Sequence, residues 1–244
     1  CGEDYTVAIK TDGTLWTWGR SAQGQLGLGN TTSYSSPKQV GALTNWARAS
    51  GGAVTAVVKT DGTLWTWGYN GTGGLGDNTT ANKSSPVQTV AFGTNWKQVS
   101  CSMTLTNGHT AAIKTDGTLW SWGSNLYGQL GLGNRTYYSS PKQVGALTTW
   151  STIFNSHSGN SSFAAKTDGT LWAWGKNASG QLGIGNTTNY SSPKQVGGLT
   201  TWNNIACAGA AAFAIKTDGT LWSWGYNASG QLGLGNTTNY SSPK

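Results

Sequence analysis

The chain has 244 residues, of which only 9% are charged while 37 are glycine, and its formal net charge is +7. This composition is typical of short strands joined by tight turns, and no window shows the 3.6-residue apolar stripe of an amphipathic helix. No apolar run approaches the length of a membrane span, so membrane insertion is not expected.

One ten-residue stretch, Lys-Thr-Asp-Gly-Thr-Leu-Trp-x-Trp-Gly, occurs five times along the chain. Its copies are 49, 55, 52 and 50 residues apart. They run from 10 to 19, 59 to 68, 114 to 123, 166 to 175 and 216 to 225. A fixed period of this size indicates an array of similar units, each of which buries its apolar face against its neighbours.

Each copy predicts a β-hairpin. Asp-Gly between two threonines, as at Asp12 and Gly13, is typical of a two-residue type I′ turn. An apolar segment such as 55–58 precedes the turn, and two tryptophans spaced two apart, so that they share one strand face, follow it. We expect these side chains to pack each sheet against the next, in a row of sheets that curls into a β-propeller.

The rest of the repeat also follows a fixed order. In the loop 177–186, the Leu and Ile of Gln-Leu-Gly-Ile-Gly are expected to insert into the core. In the Pro-Lys-Gln-Val segment that follows, proline suits an edge or first-strand position, because it cannot donate to a sheet ladder. A Leu-Thr-x-Trp segment then leads into the next hairpin and places four more tryptophans in packing positions, namely Trp46, Trp96, Trp150 and Trp202.

Both chain ends fall inside a repeat. Cys1 lies nine residues before Lys10, as Cys207 does before Lys216, and the chain stops at Lys244, where earlier copies continue. We therefore expect residues 1–244 to be a single β-propeller domain, or a fragment of one, within a longer protein.

The positive charge does not favour nucleic acid as a partner. The motif lysines and aspartates cancel, which leaves ten basic residues against Glu3, Asp4 and Asp77. Four of the ten belong to the repeated Pro-Lys pair, so the charge is spread as a thin ring rather than a dense basic track. The ten are Arg20, Lys38, Arg48, Lys83, Lys97, Arg135, Lys142, Lys176, Lys194 and Lys244.

No catalytic, cofactor-binding or metal-binding residue is predicted. Cys1, Cys101 and Cys207 share one repeat position, which His157 takes in the fourth copy, and equivalent positions are expected to be buried and too far apart for a disulfide. His109 has no nucleophile context, and no metal-ligand spacing is present. The motif aspartates are interpreted as turn residues.

The run 108–134, with its Gly-Gln-Leu-Gly-x-Gly motif and its preceding His109, resembles the repeat of the regulator-of-chromosome-condensation family. The resemblance covers essentially the whole chain, although the second copy departs from it at 73–77. It implies a β-propeller of four-stranded blades, usually seven, and His109 as a structural residue. Five copies leave open a missing part of a seven-bladed ring, a smaller ring or an open arc.

Function is predicted at the positions where the copies differ, because loops on a rigid scaffold carry binding residues. These are the residue after each Trp-Gly, the extra segments 102–107 and 155–162, and the loop tips. The candidate partner-binding residues are Arg20, Tyr69, Ser124, Lys176, Tyr226, Tyr127, Tyr137 and Tyr138.

Three functions stay open at this point. The first is a non-catalytic scaffold that binds a protein partner through loops of one propeller face, as a module of a larger assembly. The second is a glycan-binding adhesin on a bacterial or phage surface, which low charge and abundant Thr, Ser, Asn and Gly suit, and which favours an extracellular or virion location. The third, implied by the resemblance alone, is nucleotide exchange on a small GTPase.

Overall fold

The computed structural model describes residues 1–91, 93–102, 108–156 and 160–244. The described residues form eighteen strands in five antiparallel sheets, which we call blades 1 to 5 in chain order. Among these residues, none forms a helix of the length and apolarity that crossing a membrane requires. The predicted all-β propeller architecture is confirmed.

The strand bounds repeat from blade to blade. Blade 1 contains β1 (Tyr5–Ile9), β2 (Leu15–Gly19) and β3 (Tyr34–Gln39). Blade 2 contains β4 (Trp46–Gly51), β5 (Val54–Lys59), β6 (Leu64–Gly68) and β7 (Lys83–Gln88). Blade 3 contains β8 (Trp96–Cys101), β9 (His109–Lys114), β10 (Leu119–Gly123) and β11 (Tyr138–Gln143). Blade 4 contains β12 (Trp150–Asn155), β13 (Ser161–Lys166), β14 (Leu171–Gly175) and β15 (Tyr190–Gln195), and blade 5 contains β16 (Trp202–Ala208), β17 (Ala211–Lys216) and β18 (Leu221–Gly225).

Within a complete blade the strands pair in chain order, as in β4-β5-β6-β7. The first strands of successive blades lie side by side, since the Ser50 hydroxyl accepts from the Cys101 amide at 3.0 Å and the Ser100 hydroxyl accepts from the Asn155 amide at 2.9 Å. β4, β8 and β12 are therefore the inner strands. β3, β7, β11 and β15 are the outer edge strands, and they carry the four prolines Pro37, Pro86, Pro141 and Pro193 as predicted.

The hairpin turn differs from the predicted type I′ turn. Only Gly13 has positive φ, at 78°, and Asp12 is not among the residues with positive φ. The Gly13 amide donates to the Lys10 carbonyl and the Lys10 amide donates to the Thr14 carbonyl. This is a three-residue loop, a type I turn followed by a left-handed glycine. The aspartate stabilises it without leaving the ordinary φ range, because Asp12 Oδ1 accepts from both the amide and the hydroxyl of Thr14.

In blades 2 to 5, the second tryptophan of the hairpin joins its blade to the preceding one. Trp174 is fully buried, and its indole N–H donates to the Gln129 carbonyl of blade 3 at 2.8 Å. Three other hairpin tryptophans, Trp67, Trp122 and Trp224, are also fully buried and make the same contact to Gln25, Gly74 and Gln181. The predicted role of these indoles as inter-blade packing groups is confirmed.

A glycine of the Gly-Gln-Leu-Gly-x-Gly motif makes room for that indole. Gly131 has φ +73°, and a Cβ atom placed there would lie 2.8 Å from Nε1 of Trp174. The neighbouring Leu130 is fully buried, so the loop inserts its leucine as predicted while its glycine backbone contacts the next blade.

Each inner-strand tryptophan completes a cluster with the hairpin. Trp150 packs edge-on against Trp172 and Trp174 at centroid distances of 6.2 and 6.3 Å. The ammonium group of Lys166, the first residue of the repeated stretch in this copy, lies 3.8 Å from the Trp172 ring centroid, a favourable cation–π geometry.

The two end blades contain three strands each, and both chain ends fall inside a repeat as expected. Blade 1 consists of β1, β2 and β3. Cys1, which was expected to be buried, is exposed. In blade 5 the last residues pair with β18 as a fourth strand would: Tyr240 forms an isolated bridge with Gly225, and the backbone of Lys244 exchanges two hydrogen bonds with Ser223.

Candidate interaction face

One end of the blades, which we call the loop face, collects the segments that vary between copies. Register places the end of β10 beside the beginnings of two neighbouring strands, since Gly123 pairs with His109 and with Tyr138. The loops that follow β2, β6, β10, β14 and β18 therefore lie at this end. The loops that connect each inner strand to the second strand of its own blade lie there too. The Asp-Gly turns lie at the opposite end, which we call the hairpin face.

A buried asparagine holds four of these five loops, and Ser21 takes its position in blade 1. The Asn177 side chain is fully buried, its Oδ1 accepts from the Leu182 amide at 2.9 Å, and its Nδ2 donates to the carbonyls of Asn186 and Thr188. Asn125 and Asn227 make the same contacts in blades 3 and 5. Sequence reasoning missed this role, although the recurrence of Asn two residues after Trp-Gly in four copies was a usable signal.

The position directly after Trp-Gly presents one side chain per blade at the base of the loop. Arg20 is exposed and forms a 2.9 Å ion pair with Asp4, and Tyr226 is 39% exposed. Tyr69 and Lys176 are half-buried. Ser124 is fully buried, so its side chain lies beneath the loop face rather than on it.

The tyrosine candidates of blade 3 extend the same surface outward. Tyr127 is half-buried, and its ring centroid lies 5.2 Å from the ammonium group of Lys176, which belongs to blade 4. Tyr137 is 44% exposed, and Tyr138 is half-buried with its hydroxyl accepting from Asn134 at 3.4 Å. The structure thus brings Tyr127 and Lys176 together across a blade junction.

Most of the extra segments 102–107 and 155–162 cannot be placed, because 103–107 and 157–159 lie outside the described residues, and His157 with them. Their predicted part in partner binding stays a prediction.

His109 is buried at the junction of blades 3 and 4, where its Nε2 lies 2.9 Å from the Ser162 hydroxyl. The same repeat position in blade 1 holds Tyr5, whose hydroxyl lies 2.6 Å from Thr55 Oγ1 of blade 2. Ser162 in turn donates to the Gln129 carbonyl at 2.8 Å. This position therefore supplies a polar contact between neighbouring blades, in agreement with the structural role that the family resemblance implies.

The titratable groups have structural partners. Hydrogen bonds from the Thr118 side chain and backbone lower the pKa of Asp116, and the other four turn aspartates have the same arrangement. Burial raises the pKa of the Cys101 thiol to about 12. All three cysteines are free. Among the described residues, no group of three or more His, Cys, Asp or Glu side chains is placed to hold a metal ion.

The positive charge is spread over the blades. The lysine of the Pro-Lys pair lies on the outer edge of four blades, with its ammonium group 5.2 to 5.5 Å from the ring of the tyrosine four residues earlier. These lysines are Lys38, Lys142, Lys194 and Lys244. The arrangement matches the predicted ring of separated charges.

The whole chain, residues 1–244, matches the family model described as RCC1-like domain. It is 32% identical over 200 residues to the ultraviolet-B receptor UVR8 of Arabidopsis thaliana, a match that covers 80% of this chain and 44% of that protein. It is 30% identical over 199 residues to the human E3 ubiquitin-protein ligase HERC2, covering 82% of this chain and 3% of that protein. The chain therefore spans less than half the length of these curated relatives.

Solved structures show the same fold. The chain superposes on human WBSCR16 with a TM-score of 0.83 at 22% identity, covering 100% of this chain and 64% of that one. It superposes on yeast RCC1 (Prp20), solved bound to Kap60, with a TM-score of 0.85 at 18% identity, covering 99% of this chain and 59% of that one. Fold, repeat motif and family model agree, and the chain belongs to the family of RCC1-like domains.

Proposed function

We propose that this chain is a non-catalytic interaction module that binds a protein partner through its loop face, as part of a larger assembly. The observation that carries the proposal is the placement of the unrepeated side chains. Arg20, Tyr69, Lys176 and Tyr226 occupy one repeat position in four blades, differ in chemistry, and lie together with Tyr127 and Tyr137 at one end of the molecule.

The chemistry of this face suits a protein partner. Tyrosine and arginine are enriched among residues that dominate binding energy, because a tyrosine ring supplies a large rigid contact and the planar guanidinium makes several directed hydrogen bonds. The Tyr127 and Lys176 pair spans blades 3 and 4, so one partner segment would contact two blades at once.

The relatives support a role as a module. The RCC1-like part of human HERC2 that this chain matches is 3% of that ligase, and yeast RCC1 was solved bound to another protein, Kap60. None of the named relatives supports the glycan-binding alternative or an extracellular, virion or bacterial location. Nucleotide exchange is supported only by fold likeness at 18% identity, which shows the fold alone.

The test is affinity capture from the source cells with quantitative mass spectrometry. We expect a captured protein whose recovery falls about tenfold or more when Tyr69, Tyr127, Lys176 and Tyr226 are together changed to alanine. The matched control is Arg48→Ala with Lys97→Ala, which removes two exposed side chains of inner strands near the hairpin face. A partner lost with the control variant and retained with the loop-face variant would overturn the proposal.

A further inference from the structure

Two equivalent grooves lie on the outer wall, away from the loop face. One, of about 370 Å³, lies between blades 1 and 2, and the other, of about 360 Å³, lies between blades 3 and 4. Each is lined by a Gly-Leu-Gly loop of one blade and, from the next blade, by two tryptophans and a Ser-Pro pair.

The walls of both grooves are apolar. At the rim of the first groove Leu43 is 47% exposed, and Leu147 is 47% exposed at the rim of the second. The hairpin tryptophans Trp65 and Trp172 are half-buried in the walls. Pairs of partly exposed large side chains facing one cavity provide a place for another apolar side chain.

A positive charge lies against each groove. Lys59 lines the first groove and is only 8% exposed, with its ammonium group 4.1 Å from the Trp65 ring centroid. Lys166 is half-buried and does not itself line the second groove, but its ammonium group lies 3.8 Å from the ring centroid of Trp172, which does. Neither ion pair found among the described residues involves these lysines, and no Asp or Glu is among the lining residues.

The grooves also share an unusual polar group. The indole nitrogens of Trp46 and Trp150, which line the two grooves, are buried without a hydrogen-bond acceptor among the described residues. The Trp202 nitrogen has the same property, and its blade junction repeats the groove residues with Ile184, Val196 and Leu199. At the junction of blades 2 and 3 the sequence differs, because Asp77 replaces the leucine of Gly-Leu-Gly.

From this combination we infer that the outer-wall grooves bind an extended peptide in which a large apolar side chain stands next to a carboxylate. The apolar side chain packs between the rim leucine and the half-buried indole. The carboxylate faces the motif lysine, which is held in a site of low exposure where a charge pair is weakly screened.

The test uses the tryptophan indole N–H signals of the isotope-labelled chain, recorded by nuclear magnetic resonance and assigned with single Trp→Phe variants. The probe is acetyl-Glu-Leu-Glu-Leu-amide, and its matched control is acetyl-Gln-Leu-Gln-Leu-amide. We expect the acidic peptide to shift the signals of Trp46, Trp150 and Trp202 and to bind about tenfold more tightly than the neutral peptide at low salt.

The protein variants change exposed side chains, so that they leave the stability of the fold nearly unchanged. Leu43→Asp with Leu147→Asp is expected to weaken the acidic peptide by about tenfold or more, because it puts a like charge at each rim. Leu126→Asp on the loop face, where Leu126 is also 47% exposed, is the control and leaves binding unchanged. Absence of peptide-dependent shifts, equal shifts with both peptides, or insensitivity to the rim variants would each overturn the inference. Shifts produced by chitobiose and not by the acidic peptide would overturn it in favour of a glycan site.

Discussion

The blade junctions and the loop face are built from the same repeat under opposite constraints. At the junctions, Trp67, Trp122, Trp174 and Trp224 are all fully buried, and each donates to a carbonyl of the preceding blade. The residue two positions after these tryptophans differs between blades: it is Tyr69, Lys176 or Tyr226 on the loop face, and the buried Ser124 in blade 3. The repeat is thus kept where a side chain must fit a neighbouring blade and is lost where the side chain meets solvent.

The largest expected effect tests the fit at a junction. Gly131→Ala puts a Cβ atom 2.8 Å from Trp174 Nε1, at a residue whose φ of +73° disfavours any side chain. We expect the free energy of unfolding to fall by about 3 kcal/mol, from overpacking and left-handed strain together. Urea denaturation followed by tryptophan fluorescence measures it.

The control separates strain from fit. Gly145 has a similar φ of +62°, and a Cβ atom there would meet nothing within 4 Å. Gly145→Ala should therefore cost only the strain, about 1 kcal/mol. Equal losses for the two variants would show that the indole contact does not constrain the glycine.

The packing at the blade junctions could be predicted from the sequence, whereas the exposure of side chains on the loop face could not. The spacing of paired tryptophans and the Gly-Gln-Leu-Gly motif predicted the sheets, the buried indoles and the inserted leucines, because packing in a repeat array depends on local pattern. It could not separate buried Ser124 from exposed Tyr226, since exposure at one repeat position depends on the neighbouring loop. The turn was assigned to the wrong class because Asp-Gly also occurs in three-residue hairpin loops with a single left-handed glycine.

The next prediction compares how much stability is lost when each of the two tryptophans of one hairpin is changed to phenylalanine. Trp174→Phe removes a buried indole N–H bond of 2.8 Å and leaves a small cavity, so we expect a loss of about 2 kcal/mol in unfolding free energy. Trp172→Phe, at the half-buried position, should cost about 1 kcal/mol or less. Thermal and urea unfolding of both variants measure the difference, and a larger loss for Trp172→Phe would contradict the assignment of the junction to Trp174.

A smaller effect is expected at the hairpin face in acid. Threonine hydrogen bonds lower the pKa of the turn aspartates below 3.8 in the folded state, so their stabilisation is present above that pH and is lost as the pH falls through the folded pKa. The free energy of unfolding should therefore decrease as the pH falls below about 4. Thr118→Ala removes the side-chain donor to Asp116 and should make that decrease shallower, as a series of urea titrations would show. An unchanged slope would mean that the turn bonds do not set the acid response.

The smallest effect on stability belongs to the loop face. Tyr137→Ala and Tyr226→Ala remove rings that are 44% and 39% exposed, and each should change the free energy of unfolding by about 0.5 kcal/mol or less. Tyr5→Phe is the matched tyrosine control inside a junction, where loss of the 2.6 Å contact with Thr55 should cost about 1 kcal/mol. If the loop-face variants were the more damaging, their side chains would belong to the packing of the blades, and the difference in chemistry between copies would need another cause than partner binding. If the loop-face variants leave the free energy of unfolding unchanged and lower partner recovery, then Tyr137 and Tyr226 contribute to recognition and not to the packing of the blades.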